Sequence, residues 1–390
     1  MIAKRINLTI LLIGLFISPG TSQSVSPVEF DKSFYSTKYN QDFASKNDLY
    51  MSRAKAVDSY YFMQISYLID GLTSMWLSTG NEKYLSSAYD LTVSILSDSK
   101  VSQSIASSAF QNKDSYRAWI SNKGVKSTTE VVLYEGYLFE AVSRMLYEIQ
   151  ERGVDITSFE RVSPKEVLDF VETHVWQKWS NRSAKSEGNK YTLFMRRRVH
   201  MASHWATIAL YLRQLTGKKE YGQFVDSFDK ALRDNLRKVS NNGSSLYIWN
   251  SSWDRPVLFA DVPASKITII QDVSHANSVV NYIYTAVKLG SGVWAEQDIE
   301  LLINTLKENV ISKGRPGQFN DNVDGSALTQ RQGSGAFQSA GWVKLSEFDA
   351  PLREYYESFY ENQLRRADSR YQKDQFLANL LYAKLLSTNK

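Results

Sequence analysis

Three histidines carry most of the proton chemistry this sequence can offer. His200 and His204 stand four residues apart in the stretch Arg196–Gly217, "RRRVHMASHWATIALYLRQLTG", and His275 lies in "QDVSHANSVVNYIY" between Asp272 and Asn277. Residues at i and i+4 share a helix face, and imidazole is the side chain suited to exchanging protons near neutral pH. Arg196, Arg197 and Arg198 precede the pair. Cations at a helix start oppose the helix dipole, so an anionic neighbour is expected there, either the protein's own carboxylates or an acidic ligand. "HMASH" lacks the glutamate of the H-E-x-x-H pattern, which leaves acid–base work or ordinary burial for the pair; no metal and no cofactor are expected. The fourth histidine, His174 in "VETHVWQKW", reads as surface or packing. His275 is the leading single candidate for an active residue.

These side chains need helices to hold them. From Ala54 to Ser78 the apolar positions Ala56, Tyr60, Met63, Tyr67, Leu68, Leu72 and Trp76 recur at three- and four-residue steps, the pattern of a helix with a buried face. Thr79 begins "TGNEKYLSSAYDLTVSIL" and Thr216 begins "TGKKEYGQFVDSFDKAL"; both read T-G-x-x-x-Y and then an amphipathic helix. A weaker copy turns at Gly290, and another lies at Thr128–Gln150 followed by Ser163–Trp179, where Ser-Pro-x-Glu signals a cap. Ser334–Leu345 with Ala350–Leu364, and Tyr371–Leu386, complete the count. Helical hairpins repeating about every seventy residues predict an all-α (α/α)n toroid, an incomplete barrel with few or no strands; "SSLYIW" and "KITII" are the short exceptions. The inner helices of such a fold run the same way, so their starts meet at one rim. That rim collects Tyr60, Tyr61 and Gln64; Glu130, Tyr134 and Glu135; the arginines and histidines above; Asp272, His275 and Asn277; Arg331 and Gln338; and Arg370, Tyr371 and Asp374. The middles and ends of these helices read as apolar.

Composition narrows the class. Cysteine is absent, which removes disulfides, thiol catalysis and zinc–thiolate sites. Met1–Ser22 has a basic start at Lys4 and Arg5, an apolar run and a small-residue exit, the layout of a secretory signal. The remainder, 23–390, reads as a single domain, exported to the periplasm or beyond, with no membrane span. The formal net charge is +5 and falls by two when Lys4 and Arg5 leave; with no basic stripe, nucleic acid is not an expected partner. The 9 Trp, 23 Tyr and 18 Phe supply core and, in an exported protein, platforms for sugar rings.

At "HMASHWATIALYLRQLTGKKEYGQFVDSFDKAL" and "SHANSVVNYIYTAVKLG" the chain resembles the α/α-toroid polysaccharide lyases, alginate-lyase-like enzymes in particular. Trp205 takes the tryptophan position of those families, and Ser274-His275 falls where a tyrosine–histidine pair is usual; the asparagine–histidine pair is absent. The resemblance implies a secreted lyase that cleaves an acidic, uronic-acid polysaccharide by β-elimination without a cofactor. It places His200, His204 and His275 nearest the chemistry and leaves the acid/base tyrosine among Tyr134, Tyr371 and the deeper Tyr282. Arg197, Arg198 and Asn277 would hold the acidic sugar, with Glu130, Asp272, Gln64, Arg331 and Tyr371 completing the binding set. Such an enzyme must neutralise the carboxylate and then move the neighbouring proton. Two alternatives stay open: an inverting glycoside hydrolase using a pair among Glu130, Glu135 and Asp272, and a non-catalytic glycan-binding toroid.

Overall fold

The computed structural model describes residues 31–44, 47–56, 58–105, 114–122, 129–156, 162–311, 317–327, 334–362 and 371–388. The leader segment Met1–Ser22, Arg331 and Arg370 lie outside these residues, as does the side chain of Tyr371. The helices are α1 (Lys32–Ala44), α2 (Asn47–Ala54), α3 (Phe62–Thr79), α4 (Glu82–Asp98), α5 (Val132–Arg152), α6 (Pro164–Phe170), α7 (Lys178–Glu187), α8 (Thr192–Met195), α9 (Val199–Thr216), α10 (Lys219–Asn235), α11 (Val273–Lys288), α12 (Glu296–Asn304), α13 (Ala350–Asn362) and α14 (Tyr371–Thr388). π-helical turns at Val171–Gln177 and Thr305–Val310 join α6 to α7 and extend α12.

The repeated Thr-Gly dipeptide is the hinge of the helical hairpins. Thr79 Oγ1 donates to the Met75 carbonyl at 2.6 Å and accepts the Asn81 N–H at 3.2 Å. Thr216 does the same with Leu212 at 2.7 Å and Lys218 at 3.2 Å. The glycines that follow, Gly80 and Gly217, sit at φ +71° and +67°, a left-handed conformation that costs a residue with a β-carbon roughly 1 kcal/mol or more. The tyrosine of the motif then anchors each outer helix. Tyr84 donates to Asn40 at 2.9 Å and Tyr221 to Glu172 at 2.6 Å.

Helices α3, α5, α9 and α11 pack side by side, each against the next, and α14 returns to α3. Between α11 and α14 the wall is the 3₁₀ segment Trp342–Glu347, which touches both. The fold is the all-α toroid expected from the sequence, with a short 3₁₀ segment in place of a long helix between α11 and α14. Helix α4, the α6–α7 run, α10, α12 and α13 form the outer layer, and α1 covers α14. The short fifth wall is possible because Gly341 lies directly on α11. A β-carbon there would fall 2.3 Å from the Asn277 carbonyl oxygen and 2.5 Å from the Asn281 nitrogen. Inner helices are buried on nearly every side, as α9 shows from Val199 to Leu212, whereas α10 buries one stripe only. Trp205 points outward from the axis, its ring 4.4 Å from that of Phe194.

Two small antiparallel ladders exist among the described residues. β1 (Lys100–Val101) pairs with β2 (Arg117–Ala118), and β3 (Arg237–Asn241) pairs with β4 (Ser244–Ile248) across Asn242-Gly243. "SSLYIW" thus supplies a strand, while "KITII" contributes only the isolated Asn250–Ile270 bridge. Among the described residues no helix is long and apolar enough to cross a membrane.

Candidate active site

A cavity of about 460 Å³ occupies the axis of the ring, lined by residues of α3, α5, α9, α11 and α14 and by Phe337, Ser339 and Ala340 from the loop before the 3₁₀ wall. His204 enters from α9, His275 from α11, Tyr137 and Glu140 from α5, Asp70 from α3 and Gln372 from α14. The sequence periodicity explains the convergence. His204 faces inward because Trp205, its chain neighbour, is committed to the aromatic layer between α9 and the outer helices.

Two carboxylate–imidazole pairs open on this cavity. His275 Nδ1 lies 2.9 and 2.8 Å from the two carboxylate oxygens of Asp272. Asp272 is also the N-cap of α11, accepting the His275 N–H at 3.0 Å, and receives the Ser334 hydroxyl at 3.1 Å. Burial alone would raise its pKa, but the hydrogen bond and charge of His275 outweigh that and bring it down to about 2. On the neighbouring wall, His204 Nδ1 is hydrogen-bonded to Glu140 Oε2, while Glu140 Oε1 accepts the Asn281 amide at 2.5 Å. Carboxylates on both Nδ1 atoms fix the two tautomers and turn each Nε2 toward other partners. His204 Nε2 is buried and has no hydrogen-bond partner in the protein. The Tyr137 ring lies 4.0 Å from the His204 ring. Burial, with smaller effects from Tyr67, Glu140 and Asp272, holds the Tyr137 hydroxyl well above the usual tyrosine range.

His200 stands behind this pair rather than in the cavity. Its ring lies 4.5 Å from that of His275. Burial, reinforced by His275 and His204, pushes its pKa well below the ordinary histidine value, so the imidazole is neutral. The cavity floor is an ion-pair cluster: Arg144 binds the Asp70 carboxylate, Gln375 and Asn379 donate to the same carboxylate at 2.8 and 2.9 Å, and Lys344 stands 3.6 Å away. Among the described residues no three histidine, aspartate or glutamate side chains gather around a point where a cation could sit.

Several residues read from the sequence as site residues sit elsewhere. Glu130 is buried and bound to Arg182, with Ser102 donating to it at 2.5 Å. Glu135 is buried against Lys178 at 2.7 Å and Trp179 at 2.8 Å. Neither lines the cavity, so of the three carboxylates weighed for a hydrolase only Asp272, held to the cavity-lining His275, stands beside it. Tyr134 stands outside it against the Tyr60 ring at 6.3 Å, and Tyr282 faces α10, donating to Asp229. Arg197 is exposed and Arg198 donates to Ser251 at 2.6 Å; neither reaches the cavity. Gln64 lines it and accepts from Arg53 at 2.8 Å. Asn277 lines it too, but its side chain is spent on the protein. Its Oδ1 accepts the Ala340, Gly341 and Trp342 N–H groups, and its Nδ2 donates to the Ser274 and Phe337 carbonyls.

The toroid is that of a known glycan-degrading enzyme. An α-1,6-mannanase of Salegentibacter sp. HEL1_6, GH76A, solved as an inactive double-alanine variant with α-1,6-mannotetrose, superposes with a TM-score of 0.52 at 13% identity, over 91% of this chain and 99% of the mannanase chain. The same mannanase in its own structure gives 0.46 at 11% identity, over 84% and 90%. No family model matches the sequence, and no curated protein matches it.

The expectation of a uronic-acid lyase is overturned at this point. The shared scaffold is that of a glycoside hydrolase, and the cavity does not offer what a lyase needs. Arg144, the guanidinium that lines it among the described residues, is already neutralised by Asp70. The mannanase was inactivated by replacing two consecutive aspartates; this chain has no two consecutive acidic residues anywhere in its sequence.

Glu140, Tyr137 and Asp70 were missed by the sequence reading, which took helix middles to be apolar. The available signal was a charge inside an otherwise apolar run: Asp70 in "YLIDGLTSMW", and Glu140 with Arg144 in "YLFEAVSRML". Such a charge in a buried helix must be paired or must face a cavity.

Proposed function

We propose that this protein is a glycan hydrolase acting on an uncharged glycan outside the cytoplasm. The observation that carries this reading is the pair of carboxylate-backed histidines, His204–Glu140 and His275–Asp272, on one axial cavity. In the reaction, His204 Nε2 takes a proton from water, whose oxygen bonds to the anomeric carbon. The bond from that carbon to the glycosidic oxygen breaks, and His275 delivers a proton to the departing oxygen. Each step is general acid–base work, typically contributing about 10²- to 10⁴-fold. Tyr137, kept as a neutral hydroxyl, is a hydrogen-bond donor for the sugar. The charged groups of the lining are paired, Asp70 with Arg144 and Glu140 with His204, and the rest offers amides and hydroxyls, which supports an uncharged substrate; the mannanase likeness makes α-1,6-mannan the first to try. The segment Met1–Ser22 supports export, with 23–390 as a single domain.

The absence of consecutive acidic residues favours a second reading, a toroid that binds glycan without cleaving it. One assay decides between them. The protein is incubated with α-1,6-mannan and a panel of other neutral glycans, following reducing ends and the ultraviolet absorbance of an unsaturated sugar. Reducing ends without absorbance support the hydrolase, and loss of that activity in His204→Gln ties it to the cavity. Binding without new reducing ends sinks the hydrolase in favour of the second reading.

A further inference from the structure

We infer that the axial cavity is a blind well that receives the end of a glycan chain, so that cleavage proceeds from a terminus and not within the chain. The shape follows from the helix positions that line it. Four walls contribute residues seven positions apart: Met63 to Asp70, Tyr137 to Arg144, His204 to Tyr211 and Ser274 to Asn281. Seven residues of parallel helix span about 10 Å, so the hollow has that depth on all four sides. Walls from α14 and from the loop before the 3₁₀ segment complete the circle. A polymer lying across a rim needs a groove with two open sides, and among the described residues this ring leaves none.

The bottom is sealed. Arg144 and Tyr211 line this cavity and also a second one of about 270 Å³ at the opposite end of the axis, so they form the septum between the two. That septum is held by the buried Asp70–Arg144 pair. His275 lies at the mouth, His204 partway down. A bond held between them leaves one side of the substrate below, in a space at the small end of ligand cavities, and the other side outside. Two buried groups that line the cavity lack protein partners: His204 Nε2, which serves the attacking water, and Gln372 Oε1. A buried orphan such as Gln372 Oε1 is rare unless a ligand or water completes it, and a hydroxyl of a terminal sugar would do so.

The inference rests on the glycan-cleaving reading for its turnover arm and on geometry alone for its binding arm. The full chain is given α-1,6-mannan and the other neutral polymers of the panel, with products sized from the earliest times. Separately, mannose, glucose, galactose and N-acetylglucosamine are titrated in ligand-observed NMR against wild type and Ala141→Phe, whose ring would fill the well between Tyr137 and Arg144; a thermal melt checks its fold. A terminal well predicts mono- or disaccharide as the first products, and a free monosaccharide whose binding weakens at least about tenfold in Ala141→Phe. Internal fragments of many lengths would overturn the inference and leave the hydrolase reading standing. Monosaccharide binding without cleavage of any polymer would remove the hydrolase and keep the well. If the filled variant melts early, the wild-type product sizes and monosaccharide titration still decide.

Discussion

Asp272 grips both His275 Nδ1 and the backbone N–H of the same residue, at 2.8 and 3.0 Å. One carboxylate therefore starts helix α11 and aims the imidazole at its mouth. The two roles can be separated. Asparagine caps a helix about as well as aspartate but has one acceptor oxygen in place of two with which to hold the ring. Asp272→Asn is expected to keep the melting temperature within about a degree or two and to lower kcat/KM by about 10²-fold or more. Unchanged turnover would take the pair out of the reaction.

Glu140 holds His204 through one oxygen and Asn281 through the other. In Glu140→Gln the amide can keep one of these contacts, while His204 loses the acceptor that fixes its tautomer. The loss is expected in kcat, about 10²- to 10⁴-fold, with KM changed much less, because both carboxylate oxygens are already engaged by His204 and Asn281. A variant whose KM rises while kcat holds would make Glu140 a sugar ligand instead.

The toroid was legible because its signals are local. Thr79-Gly80 and Thr216-Gly217 set the corners, and the apolar steps of α3 and α9 set the faces. The helix starts told less. Charges at the start of α5 and just before it face outward into buried networks, Glu130 to Arg182 and Glu135 to Lys178, because capping and outer-layer pairing use the same residue types as catalysis. The site lies one to two turns deeper, at Tyr137 and Glu140. Nothing in the spacing of Glu130, Tyr134 and Glu135 distinguishes an inward turn from an outward one until the neighbouring helices are in place. The fifth wall was legible in place, at Ser334–Leu345, but not in form: it is a short 3₁₀ segment and not a helix, and its closeness to α11 depends on Gly341 meeting backbone from sixty residues earlier.

Asp70 makes the fold sensitive to acid. Burial would raise its pKa, but Lys344 and Arg144, with the Asn379 and Gln375 amides, hold it well below the ordinary carboxylate value. A carboxyl whose pKa is depressed on folding adds stability that is complete above its unfolded value, about 3.9, and drains away as pH falls toward the folded one. Urea unfolding from about pH 6 down to about pH 3 should show the wild type losing stability most steeply below about pH 4. Asp70→Asn leaves Arg144 buried without its partner, which costs about 3–5 kcal/mol at neutral pH, and its curve should be flatter in acid. Parallel curves would show that Asp70 is not a source of the acid lability.

Asn277 offers the sharpest test of whether a polar side chain in the cavity serves the ligand or the wall. Its Oδ1 accepts the N–H groups of Ala340, Gly341 and Trp342 at 3.3, 3.1 and 3.4 Å, and its Nδ2 reaches the Phe337 carbonyl at 2.5 Å. These bonds fasten the one wall of the ring that is not a long helix. Asn277→Ala would leave buried backbone donors unpaired, each costing about 1–3 kcal/mol, so thermal and urea midpoints should drop. Asn277→Asp retains the acceptor oxygens and should recover part of that loss, although it forfeits the two donated bonds. Sugar affinity of whatever folded protein remains should move little in either variant. A stable Asn277→Ala protein with weakened sugar binding would reverse this assignment and return Asn277 to the substrate.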